Sequence, residues 1–296
     1  MINIIGNRKI FYAISGIFVA ASVFGLVFFG LVPGIDFKGG SILEIEFKGD
    51  LPQSETIRKK LENFELGEFS VRTIGEKSVT LKFKDITEET HQAVLETLKA
   101  EFPEIEEKQF ESIGPTIGRE LRNKAITSSV IVLLAISLYI AWAFRKVSRP
   151  VSSWRYGVAT LVALFHDILI PTGVFAYLGH FRGVEIDSNF IVAILVILGF
   201  SVHDTIVVFD RTRENLKRYS WVDFGELVNQ SVNEVMARSI KTSLSLLLVL
   251  AALFIWGGAT LQYFVLALMI GIFFGTYSSI FIASALIVDW EKRLRR

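Results

Sequence analysis

Two histidine-aspartate steps interrupt apolar runs that are long enough to cross a membrane. His203 and Asp204 lie near the end of one run, and His166 and Asp167 lie near the middle of another. A charged side chain at the centre of a bilayer costs about 2.5–3.5 kcal/mol on insertion scales, so such residues face a bundle interior, a wet cavity or a proton path. These four side chains are the candidates for proton chemistry within the membrane.

Asp204 has a candidate basic partner on the next apolar helix. It lies about 9 Å along its own helix from the cytoplasmic boundary marked by Asp210. Arg238 precedes the next apolar run by a few residues, and a helix that begins one turn earlier would bring its guanidinium to the depth of Asp204. A carboxylate that exchanges an arginine for a proton has two states. We predict a proton-coupling pair; the alternative is a fixed ion pair that only holds helices together.

His166 and Asp167 leave two interpretations open. Pro171 cannot donate the hydrogen bond that the Asp167 carbonyl would accept, so a kink is predicted, and the freed carbonyl could order water in a proton wire. Alternatively, the two side chains are satisfied by each other or by neighbouring helices. Both His-Asp steps together could supply four metal ligands, but neither has the H-E-x-x-H spacing of a zinc helix, and no metal site is predicted.

Small residues recur every four positions in the last apolar run. They are Ala267, Gly271, Gly275, Ser279 and Ala283. Such a ladder lets another helix approach closely. We predict helix packing at these positions, and the neighbour could belong to this chain or to a partner.

Apolar runs that suit a polytopic membrane protein must position these side chains. Hydrophobic residues make up 51% of the chain and the mean hydropathy is +0.47. A span needs about 20 residues. The apolar runs are residues 10–35, 125–144, 156–181, 188–209 and 242–288. The last run holds 47 residues with Trp256, Gly257 and Gly258 near its middle, so it predicts two helices and a turn, giving six spans in all.

Flanking charges predict the orientation. Sixteen Lys and Arg residues flank the spans on one side, whereas Arg182 alone lies in the short loops of the other. An excess of basic residues marks the cytoplasmic side, so both termini are predicted to be cytoplasmic. The first run is too long for a cleavable signal and is interpreted as a retained anchor.

Residues 36–124 are predicted to fold outside the cytoplasm. They carry 14 basic and 19 acidic residues. Alternation of apolar and polar residues from Leu43 and from Val79 predicts two half-buried strands, and two weaker strands fit near 69–74 and 108–113. Ser54 and Thr87 are predicted to cap two helices. The order β-α-β-β-α-β predicts a ferredoxin-like domain. The predicted organisation is therefore 1–35 anchor, 36–124 extracytoplasmic domain and 125–296 membrane helices 2–6.

No nucleotide-binding or thiol chemistry is visible in the sequence. It contains neither a P-loop nor a G-x-G-x-x-G motif, and it has no cysteine. The chain is predicted not to be an enzyme, to need no cofactor and to bind no nucleic acid. If it performs work, the energy is predicted to come from an ion gradient, with protons as the coupling ion, or from a partner.

Four motifs resemble a known family. They are GIDFKGG (34–40), GPTIGRELRNKA (114–125), GFSVHDTIVVFDRTREN (199–215) and ARSIKTS (237–243). Together with the span count and the position of the outside domain, they resemble the SecF family of the bacterial Sec protein-export machinery. That family is related in membrane architecture to the RND proton-driven exporters.

The resemblance implies partners and a location. The chain would pair with SecD in the cytoplasmic (inner) membrane and assist the SecY-E-G channel, with YajC and YidC as further candidate partners. Proton flow would drive the outside domains to pull or hold the translocating preprotein. The resemblance thus implies an accessory translocase subunit that uses the proton motive force.

The resemblance also implies roles for single residues. Asp204 would be the protonatable carboxylate and Arg238 its basic partner. The junction between membrane and outside domain would be formed by Gly34, Asp36, Gly39 and Gly40. The family commonly has Asn where this chain has His203, whose imidazole could join the relay or tune Asp204.

Two other functions compete with this interpretation. One is a half-transporter of the RND class for a lipid or small hydrophobic molecule, although a single outside domain of about 90 residues is small for that class. The other is a non-transporting scaffold, which would leave His203 and Asp204 in the bilayer unexplained.

Overall fold

The structure, a computed structural model, divides the chain into two units. It describes residues 1–64, 66–67, 69–75, 77–145, 151–219 and 221–294. One unit contains residues 1–32 and 127–296, and the other contains residues 33–126. Four of the basic residues used to predict orientation lie outside the described residues: Lys146, Arg149, Arg295 and Arg296.

Helices and strands follow one another as the periodicities predict. In chain order they are α1 (Arg8–Phe28), α2 (Ile35–Lys38), β1 (Gly40–Phe47), α3 (Ser54–Leu61), β2 (Ser70–Ile74), β3 (Ser78–Phe83), α4 (Glu88–Glu101), β4 (Ile105–Ile113), α5 (Pro115–Ala143), α6 (Ser153–Arg182), α7 (Ser188–Arg218), α8 (Phe224–Trp256), α9 (Ala259–Ser278), a π-helical turn (Ser279–Ala283) and α10 (Ser284–Leu294).

Six helical segments of the described residues are long and apolar enough to cross a membrane. They are α1, α5, α6, α7, α8 and a sixth that runs from Thr260 to Arg293 through α9, the π-helical turn and α10. This confirms the predicted six spans. The predicted turn is also confirmed, because α8 ends at Trp256 and α9 begins at Ala259.

The start of one helix differs from expectation in a way that matters for the site. The helix of Arg238 begins much earlier than one turn before the apolar run at residue 242. α8 begins at Phe224, where Asp223 accepts a hydrogen bond from the Gly225 amide at 2.9 Å. Such a side-chain cap satisfies a backbone donor that the helix leaves free. Arg238 therefore lies in the interior of a long helix whose first turns extend beyond the apolar run.

The core of the membrane unit is formed by α6, α7 and the sixth span, whereas α1, α5 and α8 expose most of their apolar residues. The small-residue ladder packs against α7 of the same chain. A Cβ at Gly271 would lie 2.2 Å from Ile197 Cδ1, and one at Gly275 would lie 3.0 Å from Ser201 Cβ. Only glycine lets these helices approach so closely.

The second unit is a ferredoxin-like domain. Its four strands form one antiparallel sheet in the order β2-β3-β1-β4, with α3 and α4 in the connections. Leu43, Ile45 and Phe47 of β1 and Val79 and Leu81 of β3 are buried, as their alternation predicts. The predicted β-α-β-β-α-β order is thereby confirmed.

Caps and boundaries differ in detail from the prediction. Thr87 caps α4 as predicted and accepts a hydrogen bond from the Thr90 amide at 3.4 Å. Ser54 as a cap was wrong, because Gln53 occupies that position and Ser54 is already helical. The domain was placed at 36–124, whereas the unit covers 33–126. Its start is earlier because Pro33 cannot continue a helix and Ile35 of α2 is buried within the domain unit.

Candidate proton-coupling site

Asp204 lies inside the helix bundle with only 3% of its surface exposed. The hydroxyl of Ser239 on α8 donates to its Oδ1 at 3.2 Å, and the hydroxyl of Thr276 on α9 donates to its Oδ2 at 3.4 Å. Both hydrogen bonds are long for an O–H donor, for which 2.7–2.8 Å is typical. The carboxyl group thus joins three helices through two weak contacts.

Thr276 has more acceptors within reach than it has protons. Besides Asp204, its hydroxyl contacts the Ile272 carbonyl at 3.0 Å and the Ser243 hydroxyl at 2.5 Å. Ser243 in turn donates to the Ser239 carbonyl at 2.9 Å. A threonine hydroxyl carries one proton, so it can serve only one acceptor fully at a time. The donors around Asp204 can therefore redistribute when the charge of the carboxyl group changes.

Arg238 and His203 are both exposed. Among the residues that the structure describes, Arg238 forms no ion pair with Asp204; its neighbour Ser239 contacts the carboxylate instead. The direct pair favoured by the sequence is thus not formed in this conformation. His203 lies on the outer surface of α7, next to Asp204 in the chain but facing away from the bundle core.

Asp167 and His166 form a second buried site, where Asp167 has no exposed surface. His166 Nδ1 lies 2.8 Å from Asp167 Oδ1. Ser201 of α7 and Ser278 of α9 both donate to Asp167 Oδ2, at 2.5 and 2.7 Å. On its other edge, His166 Nε2 lies 3.1 Å from the hydroxyl of Ser15 on α1. One of the two interpretations was that the pair is satisfied by itself or by neighbouring helices. The structure shows both kinds of contact, since His166 and Asp167 bond each other and side chains of α1, α7 and α9 bond the remaining atoms. The kink at Pro171 stays a prediction.

Hydroxyl groups of α7 and of the π-helical turn pack together next to Asp167. Ser201 bonds Asp167 and lies three residues before Asp204 on α7. Ser279 contacts the Thr205 hydroxyl at 2.7 Å and donates to the Ser201 carbonyl at 3.2 Å. Ser279 also opens the π-helical turn, a distortion often found at functional sites. The arrangement brings two buried carboxyl groups, which are proton-binding side chains, next to hydroxyls that can reorient.

Within the described residues, no group of three or more His, Cys, Asp and Glu side chains is close enough together to hold a metal ion. His166 and Asp167 bond each other, and His203 is directed away from Asp204 towards the surface. The two His-Asp steps therefore do not converge on one point.

The predicted junction residues make a tight glycine contact inside the domain unit. Gly34 precedes α2, which contains Asp36, and Gly39 follows it with φ +83° and ψ 164°. That backbone region is essentially restricted to glycine. A Cβ on Gly39 would lie 2.8 Å from Pro115 Cα, and one on Gly40, at φ +134°, would lie 2.9 Å from the Phe83 carbonyl oxygen. The start of the domain is thus fastened to the start of α5.

The sequence did not single out the hydroxyl donors of either site. They are Ser15, Ser239, Ser243, Thr276 and Ser278. A signal existed, since polar groups within a span need a partner inside the protein. Which hydroxyl reaches which carboxylate depends on the packing of helices far apart in the chain.

Two family profiles match the chain. "Protein export membrane protein SecD/SecF, C-terminal" matches residues 93–293, which include both carboxylate sites. "SecD/SecF GG Motif" matches residues 24–50, which include Gly39 and Gly40.

Two similar proteins named protein translocase subunit SecF align with nearly the whole chain. Protein translocase subunit SecF of Thermobaculum terrenum is 43% identical over 99% of this chain and 95% of its own length. The subunit of Anaerolinea thermophila is 37% identical over 98% and 94%. The crystal structure of SecDF, a translocon-associated membrane protein from Thermus thermophilus, aligns with a TM-score of 0.81 and 34% identity. The alignment covers 99% of this chain but only 39% of the SecDF chain.

Proposed function

Because the chain belongs to the SecD/SecF protein-export family, and within it to SecF, we propose that it uses the proton motive force to promote preprotein translocation across the cytoplasmic membrane. It acts as an accessory subunit of the Sec translocase and carries no nucleotide chemistry of its own. The observation that supports the proton-driven step is the burial of Asp204 between Ser239 of α8 and Thr276 of α9.

Asp204 alternates between two sets of partners. As a neutral acid it is satisfied by the hydroxyls of Ser239 and Thr276, which surround it here. As a carboxylate in a low-dielectric bundle it needs a positive charge as well. Arg238 directly precedes Ser239 on α8, and successive residues of a helix point about 100° apart. A rotation of α8 smaller than that angle, combined with the reach of a long guanidinium side chain, exchanges the serine for the arginine.

The movement reaches the outside domain through its two connections to the membrane helices. α1 leads into the domain at Pro33, and α5 continues from Pro115 in the domain unit to Ala143 in the membrane unit. Because Gly39 packs on Pro115, the two connections are joined where the domain begins. Helix movements thereby act on one attachment point, through which the domain pulls or holds a preprotein.

Partners are needed for this cycle. The chain spans 39% of the SecDF chain it resembles, and its exposed apolar faces on α5 and α8 suit helices of another membrane protein. We assign that place to SecD, with the SecY-E-G channel as the assembly served and YajC and YidC as further partners. Both termini are cytoplasmic, as the excess of Lys and Arg on that side indicates.

The test combines recovery of partners with one substitution. Gentle solubilisation followed by affinity purification of this chain is expected to recover a SecD-like subunit and the SecY channel. In membrane vesicles, Asp204→Asn is expected to abolish gradient-dependent stimulation of export while the complex still assembles. Asp210→Asn, an exposed carboxylate on the same helix, is the matched control and should export normally.

Two results would contradict the proposal. If Asp204→Asn shows gradient-dependent export at the parental rate, Asp204 does not couple proton flow to export. Recovery of an exporter-type partner without SecD or SecY would instead favour transport of a lipid or small hydrophobic molecule.

A further inference from the structure

We propose that His166 and Asp167 form a second proton-binding site, distinct from Asp204, and that α1 senses its occupancy through the Ser15 hydroxyl. The proposal deepens the proposed function and rests on it for the consequence of proton binding. The chemistry of the site rests only on the contacts of the buried side chains.

The three side chains form a continuous chain from α1 to the core of the bundle. Ser15 is 7% exposed, His166 5% and Asp167 0%. The Ser15 hydroxyl contacts His166 Nε2 at 3.1 Å, and His166 Nδ1 contacts Asp167 Oδ1 at 2.8 Å. Asp167 Oδ2 is already occupied by the hydroxyls of Ser201 and Ser278. Only the His166 side of the carboxyl group is therefore open to an added proton.

Counting protons fixes the direction of each hydrogen bond. When Asp167 is ionised and His166 is neutral, Nδ1–H donates to the carboxylate, so Nε2 is an acceptor and Ser15 donates to it. One added proton gives either an imidazolium beside a carboxylate or a neutral acid whose O–H donates to Nδ1. Nε2 carries hydrogen in both forms. Whichever residue holds the proton, the hydrogen bond between His166 and Ser15 reverses.

Reversal changes the hydrogen bonding of α1 itself. Once Nε2–H donates to Ser15, the serine proton must find another acceptor, and a helical serine can donate to the carbonyl four residues earlier. That carbonyl belongs to Phe11 and already accepts from Tyr277 at 2.9 Å, but a carbonyl oxygen has two lone pairs. Back-bonding of this kind bends helices. α1 leads to the outside domain at Pro33. Binding of the proton therefore changes the shape of the helix that connects the membrane unit to that domain.

In the described part of the chain, the neighbours of the pair are aromatic rings and hydroxyl groups rather than basic side chains. From α9, Tyr277 stacks on His166 with ring centroids 6.3 Å apart, and Phe274 meets the ring edge at 6.0 Å. From α7, the next carboxyl group after Ser201 is that of Asp204, one helical turn further along the chain. Among the described residues, no Lys or Arg side chain forms a hydrogen bond or an ion pair with His166 or Asp167.

The switch can be observed without measuring export. The full chain, labelled with ¹⁵N-histidine and held in lipid nanodiscs, contains four histidines, and His166→Gln identifies the signal of interest. We expect Nε2 of His166 to change from unprotonated to protonated on acidification within the pH range over which the full chain stays folded. In Asp167→Asn the proton should bind at least about tenfold more weakly, because the adjacent negative charge is lost. An Nε2 signal that keeps one state across this range would overturn the site.

The readout by α1 is tested in the assembled complex. Ser15→Ala should lower gradient-dependent export about fivefold or more, the lower end of typical coupling between sites, and Ser15→Thr should restore it. Ser22→Ala is the matched control, because Ser22 is buried on the same helix but packs on Gly173. Parental export by Ser15→Ala would overturn the readout. Parental export by Asp204→Asn would contradict the proposed function, while the histidine spectra would still decide on the second site.

Discussion

Ser201 donates a hydrogen bond of 2.5 Å to Asp167 Oδ2 from a position three residues before Asp204 on α7. One turn of one helix therefore carries both a donor to the first carboxylate and the second carboxylate itself. We expect a change of charge at Asp167 to alter the strength of its hydrogen bond with Ser201, and thereby to act on α7 one turn from Asp204. We therefore expect the two buried acids to influence each other through this turn of α7.

Ser201→Ala should weaken this link. Asp167 Oδ2 keeps the Ser278 hydroxyl at 2.7 Å, so the protein should still assemble. Interhelical hydrogen bonds in membranes contribute about 0.6 kcal/mol on average, so gradient-dependent export should fall about threefold. Export into vesicles with and without a proton gradient measures this. Ser245→Ala is the control, because that exposed hydroxyl donates only within its own helix, to the Lys241 carbonyl; an equal loss there would discount the link.

Gly39→Ala should loosen the start of the outside domain. The substitution places a Cβ 2.8 Å from Pro115 Cα in a backbone region that costs about 1–3 kcal/mol for other residues. We expect faster proteolysis within residues 33–126 of the full-length protein. Gly75→Ala provides the comparison, since Gly75 has φ +63° but no atom within 4 Å of the added Cβ. Comparable protease sensitivity of both variants would show that strain, and not the contact with Pro115, matters.

Local sequence patterns predicted most of the architecture. Long apolar runs with Trp256, Gly257 and Gly258 between two of them gave six spans, and alternation around Leu43 and Val79 gave the sheet. These features depend on the period of a single element, which neighbouring residues encode directly. The cap at Thr87 could be predicted for the same reason, because a capping side chain bonds to the backbone of its own helix.

The contacts of the candidate site could not be predicted in this way. The sequence paired Asp204 with Arg238 because both were expected at the same depth in the membrane. In the structure Ser239, one residue later, faces Asp204 instead. Depth along a helix is set by sequence position, but the facing side chain is set by the rotation of two packed helices. Ser15 reaches His166 across 151 positions of the chain, a relation that no local pattern contains.

Gly271→Ala should push α9 away from α7. Its Cβ would lie 2.2 Å from Cδ1 and 2.4 Å from Cγ1 of Ile197, and overpacking of this kind costs about 1–3 kcal/mol. Thermal unfolding in detergent should show the loss, and Ile197→Ala in the same chain should recover part of it. Gly199→Ala, with no atom within 4 Å, should be neutral or slightly stabilising. Additive losses in the Gly271/Ile197 double variant would argue against a direct clash.

The Glu46 carboxyl in the outside domain should titrate below its ordinary range. A hydrogen bond and ion pair with Lys108 at 2.8 Å lower the pKa of Glu46 and raise the pKa of Lys108. The pair therefore stabilises the domain above the unfolded pKa of Glu, and that contribution is lost as pH falls through the lowered folded value. Carboxyl NMR titration should show the pKa of Glu46 returning towards its ordinary value in Lys108→Met. Lys48→Met, which removes the weakest influence on Glu46, should change it less; the reverse order would exclude Lys108 as the cause.

Arg238→Lys should abolish most gradient-dependent export although it keeps the charge. Arg238 is exposed and must reach past the position of Ser239 to meet Asp204, where a planar guanidinium can make two parallel hydrogen bonds to a carboxylate. A lysine ammonium is a compact, strongly hydrated charge that cannot reproduce this fork. Lys241→Arg, three residues further along α8 and exposed, controls for a change of basic residue on this helix. Export by Arg238→Lys at the parental rate would show that positive charge alone suffices. The state in which residue 238 faces Asp204 would then need no bidentate pair to stabilise it.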